Sequence, residues 1–350
     1  MRIIKRIIFI LIIVILLLNC SQNETSRSEF VLGTVCTITL YENGKQKVYK
    51  EIFDRLREIE NRMSVNISGS DVDKINKNAG IAPVMVSDEV FALIERAVYF
   101  SQISNGAFDI TVGPLVSLWD IDGDNPKVPL QEEIDNVLQL INWRNIDMDK
   151  PGKTVFLKKP GMAIDLGAIA KGYAADQTGE IIRKAGIPRA IIDLGGNILA
   201  IGVKKDKTPW KIGIQNPLDS RGEYIGIVQV PEKTIVTSGV YERFFKAKWD
   251  LESGKYILVN TNNDEGDLRH FHHLFSPVTG FPADNGLLSV TVVADISMDA
   301  DALSTAIFIM GYDKGRKLIE SLNGTAGIFV FDNKNVFVAG NVDFILTDND

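Results

Sequence analysis

The segment 163–176, AIDLGAIAKGYAAD, is the sequence feature that most constrains the fold of this chain. Its glycine and alanine residues let a backbone come close to a neighbour or a ligand, and the exposed N–H groups of a helix start favour anions. Asp165 and Lys171 place opposite charges beside the same backbone. Taken alone, the segment predicts either a tight β–α connection that packs a helix on a sheet or an anion-binding turn.

Residues 1–19 predict a lipoprotein signal peptide, because basic residues precede an apolar run, 7–18, that is short for a bilayer span. Cys20 follows Asn19 in a sequence that resembles a bacterial lipoprotein cleavage box, in which a small residue usually precedes the cysteine. Cleavage would leave lipid on Cys20 and make 20–29 the anchor and tether; an uncleaved anchor is the alternative. Either way we expect the body of the protein in the bacterial cell envelope, attached to a membrane and facing the periplasm.

Charge and cysteine content exclude several classes of function. Without 1–19, which holds three basic and no acidic residues, the net charge moves from −7 to −10. An acidic body without a basic run argues against nucleic acid as a partner. After Cys20 the only cysteine is Cys36, so neither a disulfide within the body nor a zinc site of four cysteines is expected. We expect Cys36 to be a small buried residue.

The rest of the chain, roughly 320 residues, predicts one compact α+β unit, with two lobes and a cleft between them. A first strand is predicted over 30–41, and an amphipathic helix from Val48 to Met63. The polar segment 64–80 predicts a loop, and a helix follows it from the Ser87 cap to about Ile103.

Two other segments hold candidate ligand groups. Asp109 is the one acid in the apolar run 106–119, where a carboxylate is costly unless it is paired or hydrogen-bonded. It is either a turn carboxylate or a functional group. The hydroxyls of 237–239, TSG, follow a strand, and they either hold a phosphate or form a turn.

All three histidines, His270, His272 and His273, lie within four residues. Zinc is disfavoured, because no cysteine is near and the spacing differs from that of two histidines four apart on a helix. A single histidine presented to a ligand from the turn that follows is the favoured interpretation.

Asp301 and Thr305 are four residues apart and share one face of a predicted helix. Both offer hard oxygen atoms, which suit Mg²⁺ together with substrate phosphates. The alternative is that an aspartate caps this helix while Thr305 packs.

Six blocks in one order resemble a known family. They are LGT at 32–34, GAFD at 106–109, DLGAIAKG at 165–172, TSGVYER at 237–243, HLFSPVTGFP at 273–282 and ADALSTA at 300–306. Together they resemble the ApbE family of FAD-dependent FMN transferases in its lipoprotein form, from residue 30 to about residue 339.

The resemblance implies an α+β fold related to the tunnelling fold, here over 30–345, with an FAD-binding cleft and Mg²⁺. Family members cleave the FAD pyrophosphate, pass FMN to a Thr or Ser hydroxyl of an acceptor flavoprotein and release AMP. We expect the acceptor to be a subunit of a membrane redox complex.

Carried across by position, the resemblance assigns the metal ligands to Asp301, Thr305 and the backbone carbonyl of Ala168. It assigns the FAD contacts to Leu32, Asn66, Ala107, Phe108, Asp109, Asp165, Lys171, Thr237, Ser238, Gly239 and His273. The residues expected to take part in catalysis are His273, Asp301 and Lys171.

The implied reaction agrees with the chemistry of these side chains. Mg²⁺ and Lys171 would neutralise the pyrophosphate and the charge that develops on the leaving AMP. The acceptor hydroxyl needs a base at neutral pH. His273 is one candidate, and an aspartate near the metal is another.

Asn66 departs from the family pattern, since many members carry a tyrosine there that stacks on the flavin. Such stacking contributes roughly 0.5–1.5 kcal/mol beyond area burial. We therefore expect looser flavin binding and easier water entry, which favour hydrolysis of FAD to FMN and AMP. An FAD-storage lipoprotein is the alternative function, but the presence of Asp301, Thr305 and Lys171 together favours catalysis. An adhesin or scaffold is supported by the cleavage box alone.

Overall fold

The computed structural model describes residues 25–220, 222–250, 254–259 and 268–347. The predicted signal peptide, Cys20 and the first residues of the predicted tether lie outside these ranges. Within them, no helix is both long and apolar enough to cross a membrane.

The described chain contains both helices and strands. The helices are α1 (Gln46–Met63), α2 (Asp71–Lys77), α3 (Asp88–Ile103), α4 (Gly113–Trp119), α5 (Gln131–Leu138), α6 (Ala170–Lys184), α7 (Ser297–Met310) and α8 (Tyr312–Ser321). The strands are β1 (Thr25–Val31), β2 (Thr34–Leu40), β3 (Val84–Met85), β4 (Ile146–Asp149), β5 (Thr154–Leu157), β6 (Ala190–Leu194), β7 (Asn197–Ile201), β8 (Trp210–Gln215), β9 (Tyr224–Val230), β10 (Lys233–Gly239), β11 (Phe244–Asp250), β12 (Lys255–Leu258), β13 (Leu268–His272), β14 (Leu287–Ala294), β15 (Ala326–Phe331), β16 (Val336–Ala339) and β17 (Asp343–Leu346).

An eight-stranded sheet organises the fold, in the order β1-β2-β6-β7-β10-β14-β15-β16, with every neighbouring pair antiparallel. Its central strands are buried on both faces. Val236 and Val292 join the main core with α1, α6 and α7, whereas Ile235 and Val293 join a second core with β8 and β9. Burial on both faces explains why these strands are continuously apolar. The predicted α+β class and single compact unit are confirmed.

A smaller sheet, β12-β11-β13, is attached to the body through a third apolar cluster. Trp119 of α4 is fully buried there against Phe245, Phe271 and Phe275, and its indole N–H donates to the Gly280 carbonyl at 2.9 Å. The end of β13 is thereby held against the body of the protein. Sequence periodicity did not predict this sheet.

The predicted first strand, 30–41, is wrong in its bounds, because it is the second half of a hairpin. β1 pairs with β2 from Thr25 onwards, so residues 25–29 belong to the sheet and not to the tether. The turn between the strands is Leu32-Gly33, with φ of 57° and 68°. Glycine adopts this conformation freely, whereas leucine is strained in it.

The segment 64–80, predicted as a loop, contains helix α2. The Ser70 hydroxyl caps this helix by accepting the Asp73 N–H at 2.9 Å, and Val72 and Ile75 bury its apolar side. Two apolar residues among many polar ones left little helical periodicity in the sequence. The predictions for α1 and α3 are confirmed, and the Ser87 hydroxyl caps α3 as expected.

Candidate functional site

Two predicted segments, 32–34 and 237–239, meet the β6–β7 turn at one end of the eight-stranded sheet. The Leu32-Gly33 turn follows β1, and the adjacent β6–β7 turn is Gly195-Gly196, where a side chain on Gly195 would lie 2.3 Å from the Thr34 hydroxyl. The next strand, β10, reaches the same end, since Val236 pairs with Asn197 and residues 237–239 continue beyond that pair. Strand register therefore assembles this end of the sheet from distant parts of the sequence.

The turn before α6 is closed by the side chains that the sequence singled out. Asp165 Oδ1 accepts the Gly167 N–H at 2.7 Å, and Lys171 Nζ donates to the Gly167 carbonyl at 3.2 Å. The Asp165 N–H donates to the Ile110 carbonyl at 2.8 Å, so this turn lies beside the segment that carries Asp109. Both predicted charges consequently stand at the start of a helix.

Helices α6 and α7 touch at Gly172, whose N–H donates to Asp301 Oδ2 at 2.8 Å. A Cβ on Gly172 would lie 2.3 Å from the Ser297 carbonyl oxygen, so only glycine fits. In a regular helix the Gly172 N–H would bond to the Ala168 carbonyl. Within the described residues, that carbonyl receives no hydrogen bond.

Asp301 and Thr305 both lie on α7, which confirms that they share a helix. Burial raises the pKa of the Asp301 carboxyl, while the Lys171 charge, the Gly172 N–H and the Arg243 charge oppose the increase. The Thr305 hydroxyl lies 3.2 Å from Ser238 Oγ, which is also 2.9 Å from Ser304 Oγ. The end of β10 is thus tied to the predicted metal ligands.

The three histidines have different surroundings. His272 is buried, with Nε2 3.1 Å from the Ala283 carbonyl and Nδ1 accepting the Leu274 N–H at 3.2 Å, which defines a neutral tautomer. His270 is exposed and stacks on Phe244 with 5.2 Å between ring centroids. These two side chains have structural or surface positions.

His273 follows β13 and is partly exposed, within reach of the Arg243 and Lys171 charges. The main-chain N–H of His273 donates to the Arg243 carbonyl at 3.2 Å, and the ring Nδ1 lies 3.3 Å from the same oxygen. Burial lowers the pKa of His273 to about 3, and the Arg243 and Lys171 charges also lower it. The ring is therefore neutral at physiological pH.

Asp109 is engaged within the protein. Its carboxyl group accepts hydrogen bonds from the main-chain N–H of Thr111 at 2.8 Å, the Thr111 hydroxyl at 2.6 Å and the main-chain N–H of Trp143 at 3.0 Å. Burial raises its pKa, and these hydrogen bonds oppose the increase. These bonds are those of a turn carboxylate, one of the two alternatives for Asp109, and its contact with FAD stays a prediction.

The remaining predicted contacts occupy varied positions. Phe108 is buried edge-on against Phe100, and Ala107 is partly exposed. The Thr237 hydroxyl is 2.8 Å from that of Thr291, and Gly239 ends β10. Asn66 is exposed in the turn between α1 and α2, where its N–H donates to Ser64 Oγ. Their contacts with FAD stay predictions.

Arg243 ends the block 237–243, and the sequence predicted no role for it. Its carbonyl holds His273, its charge acts on Asp301 and His273, and its guanidinium pairs with Asp122 at 2.9 Å. Its place in the block 237–243 was the only sequence feature that could have indicated a role. Of the residues on which it acts, His273 follows β13 and Asp301 lies on α7. Long-range packing placed it here.

The oxygen atoms that the family resemblance assigned to a metal are of the type that suits a hard cation. Asp301 Oδ1 and the Ala168 carbonyl take no hydrogen bond from the described part of the chain, and the Thr305 hydroxyl is shared only with Ser238. Within the described ranges, no three or more His, Cys, Asp or Glu side chains are grouped as a metal site. The assigned set contains a single carboxylate, with a hydroxyl and a backbone carbonyl as the other oxygen atoms.

Comparisons with known proteins agree on one family. The sequence model of the ApbE family matches residues 32–329. The FAD:protein FMN transferase of Treponema pallidum is 35% identical over 331 residues, 89% of this chain and 86% of that protein, and that of Klebsiella pneumoniae is 33% identical over 90% and 91%. The crystal structure of the ApbE protein of Thermotoga maritima superposes with a TM-score of 0.78 at 31% identity, covering 91% of this chain and 97% of that one.

Proposed function

This chain belongs to the ApbE family, and we propose from that membership that it is an FAD:protein FMN transferase with the α6–α7 junction as its reaction centre. FAD is its substrate, and a Thr or Ser hydroxyl of an acceptor protein receives FMN while AMP leaves. The observation that carries the assignment of the site is the Gly172 N–H bond to the buried Asp301 carboxylate, while the Ala168 carbonyl receives no hydrogen bond from the described residues.

Mg²⁺ fits the open oxygen atoms at this junction. Asp301, Thr305 and the Ala168 carbonyl would hold it, and all three are oxygen ligands of the type that Mg²⁺ prefers. Bound there, Mg²⁺ would supply charge neutralisation at the pyrophosphate and at the leaving phosphate.

The chain's own cations have a matching role. Lys171 stands in the first turn of α6, where helix N–H groups also favour an anion. Lys171 and Arg243 both act electrostatically on Asp301. In a protein of net charge −7, these side chains concentrate positive charge where a pyrophosphate needs it.

His273 is the base in this proposal. A proton on Nδ1 directed at the Arg243 carbonyl leaves the lone pair of Nε2 free to take the proton of the acceptor hydroxyl. Asp301 is the less suitable base, because its Oδ2 accepts the Gly172 N–H and Oδ1 is the proposed metal ligand.

Asn66 adjusts the balance between two acceptors. It is exposed and has no ring to stack on a flavin, so we propose that water competes with the protein hydroxyl and that FAD is also hydrolysed to FMN and AMP. The lipid on Cys20, the periplasmic location and a membrane redox subunit as acceptor belong to the same proposal, and the signal-like residues 1–19 support it.

The test incubates residues 21–350 with FAD, with and without Mg²⁺, in the presence and absence of a flavin-acceptor domain. Chromatography then resolves FAD, FMN, AMP and labelled acceptor. Mg²⁺-dependent AMP with labelled acceptor is the expected result. AMP and free FMN without label would reduce the function to a pyrophosphatase, and intact bound FAD without AMP would favour the storage alternative.

A further inference from the structure

Helices α6 and α7 exchange carboxylates at their N-terminal turns. Asp301 of α7 accepts the Gly172 N–H of α6 at 2.8 Å. In return, Asp176 of α6 accepts the N–H groups of Ser297 and Met298 at 2.9 Å each. Gly172 and Asp176 are four residues apart on one helix, and Ser297 and Asp301 are four apart on the other. Each helix therefore caps its partner.

This exchange replaces a cap that the local sequence lacks. Ile296 precedes α7 and makes no side-chain cap, although the first N–H groups of a helix need acceptors. Asp176 supplies them from 121 residues away in the sequence. A carboxylate at a helix N-terminus is also favoured by the helix dipole.

The start of α7 is also fixed in position against the eight-stranded sheet. The Ser297 hydroxyl donates to Asn197 Oδ1 at 2.7 Å and lies 2.9 Å from the Thr234 hydroxyl. These bonds tie the helix start to β7 and β10, while Asp176 ties it to α6. Asp176 is the side chain that connects this turn to the helix of Lys171.

We propose that Asp176 is a positioning residue for the reaction centre, which sets the register of α7 against α6 and so places Asp301 and Thr305 opposite the Ala168 carbonyl. The proposal rests on the proposed function, because it assumes that these oxygen atoms act together. It assigns Asp176 no contact with FAD or metal. A loss of register would move Asp301 and Thr305 on α7 away from Ala168, which precedes α6. Each of the three residues would keep its own oxygen atom.

A stability role alone is the competing explanation, and Asp299 is the matched control. Asp299 lies on the same turn of α7 and makes a two-point ion pair with Arg96 of α3, at 2.8 and 2.5 Å. Asp299→Asn weakens the hold of α3 on α7 and removes no hydrogen bond to α6, although the Asp299 charge acts on Asp176. Asp176→Asn keeps one acceptor oxygen in place of two at the α6–α7 contact.

The experiment compares wild type, Asp176→Asn, Asp176→Glu and Asp299→Asn as the full chain without its signal segment. Mn²⁺ binding is measured by electron paramagnetic resonance in the presence of FAD, FAD affinity is measured without metal, and Tm is measured for each protein. We expect Asp176→Asn to weaken Mn²⁺ binding at least tenfold and to leave metal-free FAD affinity within twofold. Asp176→Glu should recover part of the loss, and Asp299→Asn should bind Mn²⁺ within twofold of wild type.

Equal losses of Mn²⁺ affinity in the two asparagine variants, or no loss in Asp176→Asn, would overturn the proposal. So would an absence of Mn²⁺ binding by the wild type. AMP release is measured separately with Mg²⁺. A wild type that binds Mn²⁺ and releases no AMP would contradict the proposed function, while the Mn²⁺ comparison would still decide the role of Asp176.

Discussion

The main-chain N–H of Gly172 donates to Asp301 Oδ2 at 2.8 Å across the α6–α7 contact, and the Ala168 carbonyl that it would meet in a regular helix is left open. One hydrogen bond thus orients a buried carboxylate and frees a backbone oxygen four residues earlier.

Gly172→Ala should separate the two helices. The new Cβ would lie 2.3 Å from the Ser297 carbonyl oxygen and 2.7 Å from the Met298 Cα, and these backbone atoms leave it no room. We expect a loss of about 1–3 kcal/mol in the free energy of unfolding and at least a tenfold loss of FAD turnover. Chemical denaturation and AMP release measure these effects.

Gly179→Ala on the same helix is the control for the glycine itself. Its Cβ would meet only the ends of the Arg183 and Leu199 side chains, at 3.0 Å, and these can move. Alanine also favours a helix interior over glycine by about 1 kcal/mol. Similar damage in both variants would show that the α6–α7 contact is not the sensitive point.

Asp301→Asn should separate stability from activity. Burial raises the pKa of Asp301, so the folded state retains a proton that the unfolded state releases, and ionisation lowers stability as the pH rises above the usual carboxyl range. Asparagine still accepts the Gly172 N–H and removes this loss. We expect Tm at pH 7 to be unchanged or higher while AMP release falls at least a hundredfold; a variant that keeps its activity would contradict the assignment.

His272 should make stability depend on pH. Burial lowers its pKa to about 4 from the ordinary 6.5, so the unfolded chain takes up a proton that the folded one resists. The free energy of unfolding therefore has its full value above pH 6.5 and falls as the pH drops towards 4. His272 alone accounts for a decrease of up to about 3 kcal/mol. His273 adds to the loss in the same window.

Denaturation of wild type and His272→Gln between pH 4.5 and 7.5 measures this effect. We expect a lower stability at pH 7 for the variant, because the bonds to Ala283 and Leu274 change, together with a shallower fall on acidification. Burial also lowers the pKa of the exposed His270, but less than that of His272, so His270→Gln should flatten the slope less than His272→Gln does. Equal slopes in all three proteins would rule out His272 as the source.

His273→Gln should remove the base without removing the substrate. We expect FMN transfer and AMP release to fall by about 10²–10⁴-fold, with FAD affinity within a few-fold of wild type. Because burial lowers the pKa of His273 to about 3, the wild-type rate should not drop as the pH passes through 6.5. A wild-type rate that does fall there would count against His273 as the base.

Asn66→Tyr should change how tightly the flavin is held. A stacked ring adds roughly 0.5–1.5 kcal/mol, which corresponds to about 2- to 12-fold tighter FAD binding, and it should slow hydrolysis by excluding water. Asn66→Ala removes the amide without adding a ring and serves as the control. Fluorescence titration and FMN release decide the matter, and a tyrosine variant that resembles the alanine variant would dismiss the stacking argument.

Local features of the fold were predictable from the sequence. The Ser87 cap of α3 and the shared helix of Asp301 and Thr305 depend on neighbours three or four residues away, and both predictions were confirmed. Helix α2 and the β1–β2 turn were missed. Two buried residues make a weak periodic pattern, and Leu32 is an unusual residue for a left-handed turn.

The candidate site was predicted in its residue types and decided in its geometry by the tertiary structure. Sequence patterns determined that Asp165, Lys171, Asp301 and His273 are chemically suited to a charged substrate. Only packing decided that His273 rests on the Arg243 carbonyl and that Asp176 caps a helix 121 residues further along the chain. Spacing within a helix is encoded locally, whereas contacts between helices depend on which surfaces bury each other, and a single sequence does not state that pairing.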